Sequence, residues 1–503
     1  MSWRDHLVML LTFAAAAEHC LLVQYLYAAY SLHTDDIERS PLIENWRSNI
    51  LAICKEEMGH LLTVQNILLF LGAPATLGRD NSVWAEKYYP YPFSLDPLTL
   101  ESLSCFVYAE MPDPDSQTFM DLSPDDQDTL RDLIGKVERR FTDDQGKVKA
   151  DVHRVGALYD EIIDLIGSER WIPDSEFNES SFEFQASWDA WGRGYRPAPY
   201  ELNAEGSRTD EDGDRKEAEE NQQEVELVVD AYVRVDRVAT RAQAVKALIA
   251  IATQGEAPEV ILKAAHMKHK APDEGDDEPS HFDRFFAIYK QMLKQEKADW
   301  ANNVCSNPTT QQPPRKGSND PPLPKGASPI TALVAKRLAQ LFNQRYRLLL
   351  SYLAHSFRIA GNERLDRPNR RAMLMHRVFG EMYNLKSLAG FLVRTPRTDP
   401  VKGAEPPENA GPPFEMPYSL SIPDAEVDIW RAHLDLIGTS QKTCGSLLEE
   451  AAGADEAAHK TRKELDRLRA EPYLRTLMAL DEQAKAWVHA IIAGAGSKGA
   501  VKR

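Results

Sequence analysis

Ile53-Cys-Lys-Glu-Glu-Met-Gly-His-Leu-Leu62 sets a carboxylate, Glu57, and an imidazole, His60, on one apolar helix face. Glu57 and His60 are three residues apart, so on an α-helix they lie side by side and point the same way. Their face carries Ile53, Cys54, Leu61, Val64 and Leu68. Ionisable groups on such a face cost several kcal/mol to desolvate, on the order of a lost buried hydrogen bond or more, unless something compensates them. Glu56, one position earlier, is turned about 100° away and is expected in solvent. The surrounding pattern is a long helix over about 43–72, stopped by Gly72-Ala-Pro74.

Working outward, the same anomaly recurs. The N-terminal helical pattern, 3–32, places Glu18 among Leu11, Ala14, Ala15, Leu21, Leu22 and Tyr25. A shorter helix at about 97–111 carries Glu110 with Leu103, Phe106 and Val107 behind it and Pro112 just beyond. Glu256 closes a helix expected over about 226–257, above Ile249 and Ala252, and His281 opens the next, at about 279–299, whose face continues with Phe285, Ile288 and Met292. Four carboxylates and two imidazoles are what two divalent ions take when each has one imidazole and carboxylates bridge between them. The candidate metal ligands are therefore Glu18, Glu57, His60, Glu110, Glu256 and His281. Glu278, in Glu278-Pro-Ser-His281, reads better as a favourable charge in a first helical turn, with ligation a lesser alternative. His153 and Glu161, on a helix expected at about 150–167, are reserve candidates. Glu456-Ala-Ala-His459 repeats the motif in a polar context and is expected in solvent. Iron is the expected metal, with manganese an alternative for the same ligands. No histidine, cysteine or tyrosine has an axial-ligand context, so heme is not expected.

The remaining pattern is helical: further helices are expected at about 124–140, 329–361, 368–395, 424–451 and 455–494, and strand-like alternation is scarce. The class is all-α. Residues 203–224 and 270–278 are too charged to bury and read as loops, the first of them mobile; the Pro-rich run 305–328 reads as a linker. That divides the chain into a bundle at 1–300, a linker at 301–328, helices at 329–423 completing or packing on the bundle, and charged helices at 424–503. A formal net charge of −18 argues against nucleic acid or an anionic membrane as partner. Five scattered cysteines form no disulfide framework or CxxC pair, which fits a reducing cytoplasm. Arg4 and the run Leu7 to Ala17 have the outline of a signal peptide, but the helical pattern continues through Glu18 to Leu32 and reads as a structural helix.

At these residues the chain resembles the ferritin-like family that includes the corresponding region of iminophenylpyruvate dimer synthases and chromopyrrolate synthases. The resembling elements include Ala16-Ala-Glu-His-Cys-Leu-Leu-Val-Gln-Tyr-Leu-Tyr27, Glu56-Glu-Met-Gly-His-Leu61, Phe106-Val-Tyr-Ala-Glu-Met-Pro112, Gln254-Gly-Glu256, Ser280-His-Phe-Asp-Arg-Phe285 and Ala410-Gly-Pro-Pro-Phe414. The resemblance implies a ferritin-like four-helix bundle with metal at the six ligands above, Glu57 and Glu256 bridging. It points to a non-heme dinuclear iron oxidase or oxygenase acting with dioxygen on a small metabolite in specialised metabolism. Oxidation or coupling of an imine derived from an aromatic amino acid, alongside a partner biosynthetic enzyme, is the family's own chemistry. Ferrous-ion oxidation, a structural metal role and a non-catalytic interaction protein are the readings from other classes. The long insertions speak for a monomer or small homo-oligomer rather than a storage cage. Tyr25, Tyr27, Tyr108 and Tyr159 are candidate electron relays whose plainer role is core packing, and the aromatic loop 171–200 is a candidate for substrate contacts.

Overall fold

The computed structural model describes residues 2–33, 40–79, 90–142, 154–187, 233–255, 279–295, 300–314, 322–360, 370–416 and 420–500. Among the described residues the regular structure is helical, apart from a parallel pair of two-residue strands, β1 (Pro308–Thr309) and β2 (Ser328–Pro329). Helix α1 (Trp3–Ser31) starts at a capping box, in which the Ser2 hydroxyl accepts from the Asp5 amide and the Asp5 carboxylate accepts from the Ser2 amide. It packs along its length on α2 (Ser40–Phe70). By length and composition α1 is apolar enough to cross a membrane, but 72% of its most apolar window is buried inside the protein.

Around this central pair stand α3 (Leu100–Glu110) against α8 (His281–Leu293), and α6 (Gly156–Gly167) against α7 (Arg241–Gln254). Helix α6 also touches α1, while α7 and α8 touch α2. Helix α5 (Pro124–Arg140), reached through the short α4 (Gln117–Met120), packs on α3. The C-terminal half pairs α9 (Leu333–Ser356) with α10 (Arg370–Leu392), covered by α11 (Glu426–Ala452), α12 (Glu456–Leu468) and α13 (Ala470–Ala500). One apolar core runs from Leu7, Leu68 and Leu248 through Leu338 and Leu388 to Leu474. A second, with Leu21, Tyr25, Phe106 and Phe285, joins α1 and α2 to α3 and α8. The helices after 329 thus pack on the first bundle. Arg371 donates to the carbonyls of Glu183 and Gln185, and the Tyr346 hydroxyl meets His19 Nε2.

Three sequence expectations need correction. The helix expected over 226–257 begins only at Arg241, after the Thr240 cap. Val233-Arg-Val-Asp-Arg-Val238 is not helical, and its backbone is held by side chains: Thr63 Oγ accepts from the Asp236 amide and Asn66 donates to the Asp236 carbonyl. Alternating β-branched residues favour that state, and Gly59 makes room for it, since a Cβ there would lie 2.3 Å from the Arg234 carbonyl oxygen. The helix expected over 455–494 breaks at Arg469, which is left-handed with φ 54°. Pro472 forbids continuation because its ring would clash with the carbonyl four residues back. The Pro-rich stretch is pinned where it is described: Cys305 is buried, the Leu95 amide donates to Asn307, and Thr309 and Thr310 donate to Glu415. The acidic segments 203–224 and 270–278 lie outside the described residues.

Candidate metal centre

The inward faces of α1, α2, α3 and α8 meet at five side chains. Glu18, Glu57, His60, Glu110 and His281 are each no more than 2% exposed. They form two triads, Glu18–Glu57–His60 and Glu57–Glu110–His281, in each of which one donor atom per residue lies within 4.8 Å of the others. Glu57 belongs to both, so its two oxygens face different histidines. Oε2 lies 3.2 Å from His60 Nδ1 and Oε1 lies 3.1 Å from His281 Nδ1. Glu18 Oε2 is 3.6 Å from His60 Nδ1, and Glu110 Oε2 is 3.8 Å from His281 Nδ1. The two imidazoles are stacked with centroids 5.5 Å apart.

Each histidine is also held from behind. His60 Nε2 lies 2.8 Å from Gln254 Oε1, and His281 Nε2 lies 2.9 Å from Glu56 Oε2. Both partners accept, so each Nε2 carries a proton and each Nδ1 is turned inward, where it donates to carboxylate while protonated and offers a lone pair once that proton is displaced. Outer hydrogen bonds of this kind fix the tautomer and orientation of a metal-binding imidazole. The distal carboxylate oxygens are held too: the Tyr159 hydroxyl donates to Glu18 Oε1, and the Tyr25 hydroxyl donates to Glu110 Oε1 at 2.7 Å.

The electrostatics fit a cation pair. Burial, reinforced by the Glu57 charge, pushes Glu18 up to about 8, and burial likewise pushes Glu110 up to about 7. Burial works against charge on His281, but the Glu57 carboxylate and the Glu56 and Glu57 hydrogen bonds carry it up to about 9. His60 is also held well above its ordinary range against burial, by Glu18 and Glu57. Protons therefore balance this cluster when no metal does, and divalent ions would take their place at hard-oxygen and imidazole donors. Leu21, Val155, Ile251 and Ala252 close a cavity of about 10 Å3, the room of a single water. Gly255 also lines it and approaches closely, because a Cβ there would lie 2.9 Å from Glu110 Oε2.

The structure thus brings together five of the six main candidates. Glu256 lies outside the described residues, as do Glu278 and His153; Gly255, directly before Glu256, lines the cavity. Glu161 is exposed on α6 and pairs with His6 at 3.1 Å, away from the centre. Glu456 and His459 are exposed, as expected. Tyr25 and Tyr159 touch ligand carboxylates, whereas Tyr108 is absent from the cavity wall and Tyr27 donates to the Cys305 carbonyl. Trp171 packs on Trp3, fifteen residues and about 22 Å of helix from Glu18. The largest miss is Glu56. Far from solvated, it is 0% exposed and accepts from His281 and from both terminal nitrogens of Arg284. The signal was present in Ser280-His-Phe-Asp-Arg284, where His281 and Arg284 share a face and both seek an acceptor.

A family model described as Ferritin-like matches residues 11–190, which hold Glu18, Glu57, His60, Glu110 and Tyr159. The chain is also similar to the dichlorochromopyrrolate synthase of Lentzea aerocolonigenes, at 24% identity over 465 residues. That alignment covers 85% of this chain and 37% of the relative, so the chain spans little more than a third of that protein's length. No solved structure matches the chain.

Proposed function

For a chain that belongs with the ferritin-like proteins and is related to dichlorochromopyrrolate synthase, we propose an enzyme with a dinuclear metal centre, most naturally iron, that oxidises a small metabolite with dioxygen. The observation that carries this reading is the pair of triads sharing Glu57, each with an imidazole Nδ1 turned inward. Two iron ions held there would supply the redox chemistry that reduces dioxygen and oxidises the substrate. Glu57 would bridge, Glu18 with His60 would hold one ion, and Glu110 with His281 the other. Tyr159 and Tyr25 fix the carboxylate rotamers through their hydroxyls. The described wall beside the ligands is apolar (Leu21, Val155, Ile251 and Ala252), and the space left between the side chains is about that of one water, which the ions themselves would take up. The substrate would therefore react at the margin of the centre.

Metal analysis of protein grown in iron-rich medium tests this, followed by oxygen uptake when ferrous ion is added anaerobically to metal-free protein. About two irons per chain with oxygen consumed is the expected result. Folded protein that takes up no metal would refute the reading. Glu57→Ala should lose both ions and His60→Ala one.

A second reading is favoured by the similarity over 85% of this chain to dichlorochromopyrrolate synthase. Here the centre would oxidise or couple an imine derived from an aromatic amino acid. Supplying the imine of indole-3-pyruvate separates the two: a product at about twice the monomer mass favours coupling, and recovery of unchanged monomer excludes it.

A further inference from the structure

Two more histidines are buried in the C-terminal half, apart from the metal centre. His355 lies in the last turn of α9 and His433 in α11, and neither is exposed. Their rings meet across the helix interface, with His355 Nδ1 3.0 Å from His433 Nε2. Aromatic side chains enclose them. Trp430 packs edge-on against both rings, Tyr352 tilts against His433, and Trp487 of α13 covers Trp430. The outer nitrogens, His355 Nε2 and His433 Nδ1, have no hydrogen-bond partner among the described residues. A neutral pair places one N–H between the rings, which leaves one bare lone pair and one unanswered N–H in the core. Buried polar atoms without partners destabilise a fold, and two leucines would carry no such cost. What the pair can do, and leucines cannot, is take up protons.

The closed interface resists that uptake. An imidazolium here would be buried among indole and phenol rings, and both outer nitrogens would become unanswered donors. Glu426 of α11 favours a proton on His355, but it is paired with Arg370 of α10, and Arg370 and Arg358 both oppose the charge. Beyond Tyr352 stand Arg345 of α9, Glu381 and Arg377 of α10 and Asp481 of α13, with Arg345 already held by the two carboxylates. Burial, ahead of these charges, lowers His355 to about 4, and burial with His355 alongside lowers His433 to about 3. In water both rings regain the ordinary 6.5. Groups held below their free value bind protons better in the open state, so their stabilisation is present above 6.5 and is lost as pH falls. The His355–His433 bond spans the contact between α9 and α11, and α11 packs in turn on α12 and α13. We propose that the two histidines form an acid-sensitive latch: neutral, they hold α11 on α9, and protonation in mildly acidic solution frees α11 and loosens the cover it forms with α12 and α13.

Hydrogen exchange of the full chain, normalised for the intrinsic effect of pH, measures the opening of α11. The reference is His355→Leu with His433→Leu, which removes both polar partners together and should stay folded. Two protons taken up on opening should make the protection of the α11 amides fall about 100-fold further in the unsubstituted chain than in that variant, between about pH 7.5 and about pH 5.5. His433→Gln keeps a neutral partner for His355 and should remove about tenfold of that fall, which gives the comparison if the double variant does not fold. Asp481, held up to about 6, and the metal centre titrate alike in all three proteins, so the difference belongs to the pair. Protection of α11 that falls equally in the unsubstituted chain and the variants, or an excess fall confined to α1, α2 and α3, would overturn the proposal.

Discussion

Glu56→Gln isolates one half of the centre. Glu56 is fully buried, and although burial opposes its charge, His281 and Arg284 hold its carboxyl down to about 2. It is an anion at every working pH, backing His281 at 2.9 Å and Arg284 Nη1 at 3.2 Å. The amide is the same size but offers one acceptor oxygen where there were two, plus an NH2 that must face a donor. Either His281 Nε2 or Arg284 loses its partner. Replacing an outer hydrogen-bond partner of a metal-binding imidazole typically costs about 10- to 100-fold in metal affinity, or about 1.4–2.7 kcal/mol. The loss should fall on the ion at Glu110 and His281, leaving the ion at Glu18 and His60, whose imidazole rests on Gln254 instead. An anaerobic ferrous titration against a competing chelator reads the two steps separately. Circular dichroism and urea unfolding guard against a folding defect, and Glu56→Ala provides the contrast. Removing the carboxylate outright leaves Arg284 buried and unpaired, at about 3–5 kcal/mol of stability. An unchanged two-step isotherm for Glu56→Gln, or equal loss at both steps, would refute the assignment of His281 as a ligand oriented by Glu56.

Gly255→Ala should weaken metal binding at Glu110 by about tenfold with little change in melting temperature, because the new methyl would sit 2.9 Å from Glu110 Oε2; full metal retention would contradict the close approach. Glu18 at about 8, Glu110 at about 7 and His281 at about 9 carry protons at neutral pH that metal must displace. Raised values mean the apparent affinity climbs as pH rises toward 9, with proton release seen by calorimetry in buffers of different ionisation enthalpy; metal uptake without proton release would sink this. In the C-terminal half, Arg345 is fully buried between Glu381 at 3.1 Å and Asp481, which it grips at 2.7 and 2.8 Å. Burial pushes Asp481 up to about 6 even against that arginine, so Asp481→Asn should cost about 3 kcal/mol, the lower end for breaking such a pair. Urea unfolding measures it, with metal loading unchanged; a loss below about 0.5 kcal/mol would show the network is not holding that half together.

Helix class and the inward-facing carboxylates and imidazoles were legible because both rest on local periodicity. Glu18, Glu57 and Glu110 announced themselves as carboxylates on apolar faces, a contradiction only a compensating partner resolves. Glu56 was not legible by the same rule. Its rotation by about 100° from Glu57 is real, but whether that direction meets solvent depends on α8, which lies far away in the chain. The start of α7 was lost for a related reason. Alanine-rich sequence after Thr240 gives a strong helical signal that masks the valines of Val233-Arg-Val-Asp-Arg-Val238, a segment held out of the helix by Thr63, Asn66 and Gln185. Arg469 and Pro472 are a local stop signal inside an otherwise continuous amphipathic pattern, which hides it. The packing of α9 and α10 on the first bundle rests on long-range contacts such as Arg371 with the 183–185 carbonyls, for which no spacing rule exists.

The two halves of the centre are chemically unequal, and the inequality follows from what stands behind each imidazole. Gln254 gives His60 a neutral acceptor. Glu56 gives His281 a full negative charge, held in place by Arg284 at the next turn of the same helix. A carboxylate behind an imidazole raises its basicity and its strength as a ligand more than an amide does. Charge on Glu56 costs burial, and Arg284 is what keeps that charge from being lost to a proton. The ion at Glu110 and His281 would therefore be bound more firmly and favour its higher oxidation state, while the ion at Glu18 and His60 would exchange more readily. Glu56→Gln makes the two outer partners chemically alike. If the inequality originates there, the variant should turn two resolved binding steps into one; if the steps stay apart, it originates in the carboxylates instead.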